Sequence, residues 1–388
     1  MKFNMFMPTR IVFGSGRLNE LHKQKLPGKK AMIIISNGKS VQANGALARV
    51  EAELLKAGVE VSLFNQIGAN PTKSSVMAGA KSARDNGCDF LVALGGGSVL
   101  DASKVIAMMA TNEGDLWDYV NAGSGKRRSI KSDPLPVICI TTTAGTGSEV
   151  DPWGVVTNEE TNEKIGVDST MYPVIAIVDP ELMVTVPPKF TAFQGFDALL
   201  QVIETYIAKF ANPMSDMYSL TAIENAGQFL VRAVKDGNDL EAREGMAFAN
   251  TLSGVAMTIS STTAEHSLEH AMSAFHPELP HGAGLIMISK AFFEFFIEKY
   301  ACDDRFIRMA QALGMKNASK PEDFITMLMK LQQECGVAEL KMSDYGITPD
   351  EFVKLAKNAR ETMGSLFAAN PYEMTQDDCV AVLSKSYR

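Results

Sequence analysis

The stretch "DFLVALGGGSVLDASK", residues 89–104, decides the fold. Its first half is a short apolar run bounded by polar residues, which reads as a buried strand. The run ends in Gly95-Gly96-Gly97, and "VLDASKVIAMMA" continues with helical periodicity. A strand passing through glycines into a helix is the building unit of a parallel α/β sheet. Neighbouring segments repeat the rhythm. "AMIIIS" (31–36), "VEVSLF" (59–64), "LPVICITTT" and "VIAIVDP" read as strands. "NGALARVEAELLKAG" (44–58) and "KSSVMAGAKSARDNG" read as amphipathic helices. The expectation is a parallel sheet with helices on both faces.

After Pro187-Pro188 the rhythm changes. "TAFQGFDALLQVIETYIAKF" and "MSDMYSLTAIENAGQFLVRAV" are long helical patterns, and no convincing strand follows Thr191. A length of 388 residues suits two domains at ~150 residues each. The expected division is an α/β domain over 1–184 and an all-helical domain over 185–388.

With 46% hydrophobic and 21% charged residues, the composition is that of a soluble globular protein. The net charge of −8 argues against a nucleic-acid partner, and Lys126-Arg127-Arg128 reads as a solvated loop. No uninterrupted apolar run reaches the ~18 residues of a membrane span. "MKFNMFMPTR" lacks the apolar region of a signal peptide. Five scattered cysteines without a CxxC pair suit a reducing compartment, so a cytoplasmic location is expected.

Two loops past strand ends are candidate ligand sites. Gly95-Gly96-Gly97-Ser98 permits close backbone approach, and the helix start beyond it, placed near Val99, offers free N–H groups to a phosphate. It matches neither the G-x-G-x-x-G fingerprint, which needs glycine where Leu100 stands, nor a Walker A loop. "TTTAGTGSEV" (141–150) is small and hydroxylated, and suits contact with a cofactor. An ordinary tight turn explains either loop taken alone.

The third candidate is the histidine cluster "EHSLEHAMSAFHPELPHG", which begins at residue 265 and holds four of the five histidines. His266 and His270 are four apart and share a helix face. Pro277 and Pro280 end that helix and can return His281 to the pair. Two imidazoles can ligate a divalent metal. Asp197, inside an apolar helix, would be costly unless paired or bound to a cation, and Gln201 shares its face. The bland alternative is a set of scattered surface histidines.

Taken in order, "PTRIVFGSG", "GANPT" (68–72), "GGGSVLDASK" (95–104), "TTTAGTGSEV", "AIVDPEL" (176–182), "FDALLQVIE" (196–204), "EHSLEH" and "LPHG" resemble the iron-containing (group III) alcohol dehydrogenases from end to end. The resemblance implies a dehydroquinate synthase-like fold. It carries an α/β dinucleotide-binding domain, an all-α domain and an active site between them. It implies metal-assisted hydride transfer between NAD(P)(H) and a small alcohol or aldehyde, with Fe²⁺ or Zn²⁺, in a homodimer. The implied metal positions are Asp197, Gln201, His266 and His281, with His270 near nicotinamide and substrate as proton relay or orienting group. Gln201 departs from the pattern, which has histidine there. Three readings follow: weak ligation by the amide, substitution by His276, or loss of the metal. The retained, weaker site is favoured.

The same resemblance places the pyrophosphate against Gly95, Gly96, Gly97 and Ser98. Asp101 braces or caps the helix start, or touches a phosphate. Thr142, Thr143, Thr146, Val155, Lys164 and Leu182 complete the cofactor contacts. At "ISNGKS", Asn37, Gly38 and Lys39 offer no acid to a ribose 2′-hydroxyl and one nearby cation, which leans the expectation to NADP(H). Rival readings are a dehydroquinate synthase-type lyase, a relative with a weakened or lost metal site acting as a scaffold, and a transhydrogenase with tightly held cofactor.

Overall fold

A computed structural model describes residues 3–167 and 171–388. It divides into two compact units, Phe6–Thr143 with Gly147–Thr185, and Val186–Arg388 with Ala144–Thr146.

The first unit is built on a six-stranded sheet whose strand pairs are all parallel. Its strands are β1 (Arg10–Phe13), β2 (Lys30–Ser36), β3 (Glu60–Ile67), β4 (Phe90–Gly95), β5 (Val137–Thr141) and, after a hairpin, β8 (Ile175–Val178). Spatial order is β1-β8-β5-β4-β2-β3. The interior strands β4, β5 and β8 are buried along their whole length, as expected where helices cover both faces. β3 is an edge strand and is mostly exposed, with only Phe64 and Ile67 buried. Helices α1 (Ser40–Ala43), α2 (Ala46–Lys56), α3 (Lys73–Asp85) and α4 (Gly97–Thr111) provide the crossovers.

From β2 the chain steps outward to β3, then returns past β2 to β4, and the later strands continue the other way. The order therefore reverses between β2 and β4, where open α/β sheets bind ligands beyond the strand carboxyl ends. Asn37–Lys39, Gly95–Ser98 and Thr142–Thr143 follow β2, β4 and β5 at that edge.

An antiparallel hairpin of β6 (Gly154–Asn158) and β7 (Glu163–Val167) lies outside this sheet. Sequence pattern gives no sign of it. The strands are short, and their connection, "EETN", carries no Asn-Gly or Asp-Gly signal. Asn162 supplies the left-handed residue, with φ 53°.

The second unit holds no strand among its described residues. It is built from α5 (Pro188–Ile207), α6 (Pro213–Lys235), α7 (Leu240–Ile259), α8 (Ala264–Phe275), α9 (His281–Glu298) and the smaller helices α10 (Asp303–Ala312), α11 (Glu322–Glu334), α12 (Phe352–Thr362), α13 (Gly364–Ala369) and α14 (Gln376–Ser386). From Thr191 onward α5 is buried on nearly every face, because α6, α7 and α9 pack around it. Among the described residues no helix is long and apolar enough to cross a membrane.

Candidate active site

Asp197, Gln201 and Glu204 lie at i, i+4 and i+7 on α5, so one stripe of a buried helix carries three polar side chains. His266 and His270 stand on α8, and Pro280 caps α9 so that His281 is its first residue. Two glycines set how closely α9 enters. A Cβ at Gly282 would lie 2.1 Å from the Phe193 carbonyl oxygen of α5, and one at Gly284 would lie 2.7 Å from Glu269 Cγ of α8. Larger residues there would push His281 away from both helices.

The three imidazoles meet. Ring centroids are 5.4 Å apart for His266–His281 and His270–His281, and 6.4 Å for His266–His270. His266 Nε2 and His281 Nε2 each lie 3.6 Å from the same oxygen, Asp197 Oδ1. That is too long for a hydrogen bond, and among the described residues His266 Nε2 has no hydrogen-bond partner. The opposite ring nitrogens are held. His266 Nδ1 bonds Glu204 Oε2, and His281 Nδ1 bonds Glu269 Oε2. Both carboxylates are fully buried. Each imidazole is thus fixed in orientation, with Nε2 aimed at Asp197, which is how metal-ligating histidines are held.

Burial pulls the His266 pKa down, but Glu204 and Asp197 outweigh it and raise it to about 10. The two carboxylates thus favour a positive charge at this point, and a divalent cation can supply it in place of a proton. The donor set of one carboxylate and two imidazoles fits Fe²⁺ or a similar ion. Beside it, both carboxylate oxygens of Glu265 are buried without a hydrogen-bond partner among the described residues. Burial, then the neighbouring Glu204, push its pKa well up, with His266 opposing, which favours the neutral acid.

Gln201 Nε2 donates to Asp197 Oδ1 at 3.2 Å, and Ser253 Oγ of α7 stands 3.0 Å from Gln201 Oε1. His276 does not join the cluster. As the C-cap of α8 it turns to Glu351, with Nε2 3.1 Å from Oε2, so its substitution for the missing ligand finds no geometric support. His270 is nearly buried beside His281 and belongs to a second group of potential ligands with Glu269 and His281.

In the first unit, the glycine turn is packed rather than strained. A Cβ at Gly95 would come within 2.6 Å of Val99, and one at Gly96 within 3.0 Å of Thr143. The Thr142 N–H donates to the Gly95 carbonyl at 3.0 Å, which seats the two candidate loops side by side. The helix starts at Gly97, two residues before the Val99 expected from the pattern, and no side chain caps it. Helical periodicity is visible only from the first apolar residue, whereas Gly97 already has helical geometry. Ser98 Oγ bonds the Ala69 carbonyl.

Asp101 does not cap α4. It accepts from Ser148 Oγ and from the Val155 N–H at 3.0 Å, bracing the hairpin entry. One turn on, fully buried Lys104 donates to the Ser148 carbonyl at 3.0 Å and to Asp151 Oδ1 at 2.7 Å. Burial pulls its pKa down, yet Asp151 and Asp101 hold it above the ordinary lysine value. Lys164 on β7 is buried, with Nζ 3.4 Å from Asn70 Oδ1. Asn37, Gly38 and Lys39 are exposed, and Leu182 is packed into the core of the first unit. Thr146 belongs to the helical unit, whereas Thr142 and Thr143 belong to the sheet unit.

Sequence pattern alone passes over Glu204 and Glu269, the carboxylates that orient the two histidines. Both leave a signal. Glu204 is an acid two turns after Asp197 in an apolar helix, and Glu269 sits inside "EHSLEH".

Two family models match the chain. "Iron-containing alcohol dehydrogenase" covers residues 8–180, and "Fe-containing alcohol dehydrogenase family, C-terminal" covers 191–387. The chain belongs to the iron-containing alcohol dehydrogenase family. Alcohol dehydrogenase 4 of Saccharomyces cerevisiae (strain YJM789) is 31% identical over 98% of both chains. The NAD-dependent methanol dehydrogenase of Bacillus methanolicus is 30% identical over 99% of both. Among solved structures, an archaeal halo-thermophilic Red Sea brine pool alcohol dehydrogenase matches with TM-score 0.94 at 34% identity, covering 100% of this chain and 99% of the other. This member of the family is accordingly an alcohol dehydrogenase, an oxidoreductase with the family's two-part fold.

Proposed function

We propose that this alcohol dehydrogenase interconverts a small alcohol and its aldehyde with a nicotinamide cofactor at a divalent metal centre held by Asp197, His266 and His281. The observation that carries the proposal is the convergence of two imidazole Nε2 atoms, from buried His266 and half-buried His281, on one carboxylate oxygen, each 3.6 Å away. Glu204 and Glu269 hold the opposite ring nitrogens, which keeps both Nε2 atoms aimed inward at the place a cation would take. When bound, the cation supplies Lewis-acid polarisation of the substrate oxygen and the nicotinamide supplies or accepts the hydride. His270, beside His281, orients the substrate or passes the proton of its hydroxyl.

The cofactor's phosphates belong at the N-terminus of α4, against Gly95 to Ser98, where no side-chain cap competes for the first backbone N–H groups. Thr142, Thr143, Val155 and Lys164 belong to the same contact, with Asp101 and Lys104 bracing the segment that carries Val155. The exposed Asn37-Gly38-Lys39 turn carries no acid to repel a 2′-phosphate, which supports NADP(H) over NAD(H). Fe²⁺ is the first candidate metal and Zn²⁺ the second. A cytoplasmic homodimer completes the proposal.

The test is anaerobic purification and chelator treatment, followed by NADPH oxidation with short aldehydes, with and without added Fe²⁺ or Zn²⁺. Metal-dependent turnover is expected, and His266→Ala should abolish nearly all of it with the fold intact. Wild-type activity in that variant would remove the metal assignment, and a strong preference for NADH would remove the NADP(H) assignment.

A further inference from the structure

Position 201 carries a further assignment, which rests on the metal centre proposed above. Three atoms surround Asp197 Oδ1: His266 Nε2 and His281 Nε2 at 3.6 Å and the Gln201 amide end at 3.2 Å. Gln201 is 4% exposed and lies on the α5 stripe below Asp197, so its amide has no route to solvent and must be satisfied inside the protein.

The other amide end faces Ser253, a fully buried residue of α7. Ser253 has a single hydroxyl hydrogen and two acceptors near it, the Asn250 carbonyl at 2.7 Å and Gln201 Oε1 at 3.0 Å. It can serve only one of them, and the shorter contact is to the backbone. With the amide turned over, both demands are met. Nε2 then donates to Ser253 Oγ, whose hydrogen remains on Asn250, and Oε1 takes the place beside Asp197 Oδ1. Two oxygens at that separation suit neighbouring ligands on one cation, for which bonds of ~2.1 Å give an oxygen–oxygen edge of roughly 3.0–3.4 Å. Without a cation the same arrangement would set two acceptors against each other, and the amide nitrogen faces Asp197.

We infer that Gln201 is the fourth protein ligand of the metal, through Oε1, and that its oxygen shifts the centre's preference toward harder cations, Mn²⁺ and Fe²⁺, and away from Zn²⁺. The donor set becomes two oxygens and two imidazole nitrogens. Oxygen donors suit manganese, whereas added imidazole favours zinc. Asp197 and Gln201 hold the oxygen half, His266 and His281 the nitrogen half, and Ser253 positions the amide.

The experiment uses the full-length protein, stripped of metal and titrated with Mn²⁺ or Zn²⁺, with affinities from chelator competition and the number of Mn²⁺-bound waters from proton relaxation. Gln201→Leu is expected to bind Mn²⁺ at least tenfold more weakly, with one more bound water than wild type. Gln201→His is expected to keep the wild-type water count while shifting the Mn²⁺-to-Zn²⁺ affinity ratio toward zinc by more than tenfold. An unchanged water count in Gln201→Leu, or one fewer water in Gln201→His, would show that the amide is not a ligand and overturn the inference. The two variants read the same question in opposite directions, so either suffices if the other does not fold. His266→Ala tells failure of the centre from failure of the fourth ligand. If it binds Mn²⁺ like wild type, the metal centre itself is misplaced. If it loses binding, the centre stands and the water counts alone decide whether Gln201 ligates.

Discussion

Replacing Glu204 by glutamine tests how the protein holds its ligands, because one atom changes and the volume does not. Glu204 is fully buried. Its Oε1 accepts from the Thr263 N–H at 2.9 Å and the Thr263 hydroxyl at 2.6 Å, and its Oε2 bonds His266 Nδ1. The carboxylate therefore makes His266 carry its proton on Nδ1 and leaves Nε2 for a cation. A glutamine has two ways to sit. With its oxygen toward Thr263, its amide nitrogen donates to His266 Nδ1 and forces the proton onto Nε2, the atom aimed at Asp197. With the amide reversed, His266 keeps its tautomer but the Thr263 N–H loses its acceptor, a loss of about 1–3 kcal/mol.

Loss of such an orienting partner weakens metal binding by about 10- to 100-fold, or ~1.4–2.8 kcal/mol. Fold stability should fall less than for an isolated carboxylate, because Glu265, which Glu204 pushes toward its neutral form, is relieved at the same time. Metal affinity from chelator competition and thermal unfolding in chelator measure the two effects separately. Affinity within threefold of wild type in a folded Glu204→Gln protein would refute the argument.

Three other perturbations have definite expectations. Gly282→Ala sets a methyl group 2.1 Å from the Phe193 carbonyl; backbone cannot yield as a side chain does, so metal affinity should fall along with ~1–3 kcal/mol of stability, read by competition and denaturant titration. Lys104→Met leaves Asp151 and Asp101 buried without their cation and should destabilise the first unit by about 3–5 kcal/mol, with weakened NADPH binding in a fluorescence titration. Glu163 accepts from Trp117 Nε1 at 3.0 Å, the Ser124 N–H at 2.8 Å and the Thr161 hydroxyl at 2.8 Å; burial raises its pKa, but these donors outweigh it and leave the pKa below the ordinary glutamate value. Its stabilisation is therefore present above the unfolded pKa and lost as pH falls through the lowered folded one, so Glu163→Gln should cost ~1–3 kcal/mol at pH 7 and progressively less in acid, read from Trp fluorescence in urea at each pH.

Much of this architecture is legible in local pattern. β2, β4, β5 and β8 are continuous apolar runs, and a run such as "KAMIIIS" has no amphipathic alternative, so its burial between helices follows from composition. The switch to long helical periods after Pro187-Pro188 and the glycine turn after β4 follow from spacing alone, whereas the grouping of Asp197 with the histidines of "EHSLEH" is what the family resemblance implies. The β6–β7 hairpin does not, because five-residue strands without a tight-turn signal resemble loop. Contacts between distant segments are equally hidden. Nothing local says that His266 turns to Glu204, 62 positions away, that His281 turns to Glu269, that His276 leaves for Glu351, or that Lys104 is a buried clamp rather than a surface charge. By itself the sequence determined which residues can ligate and which helix faces they occupy, since periodicity is a short-range property of the backbone. Only the tertiary structure decided which nitrogen of each histidine faces the site and what Gln201 touches, because those depend on close packing of α5, α7, α8 and α9, down to the two glycines that admit His281.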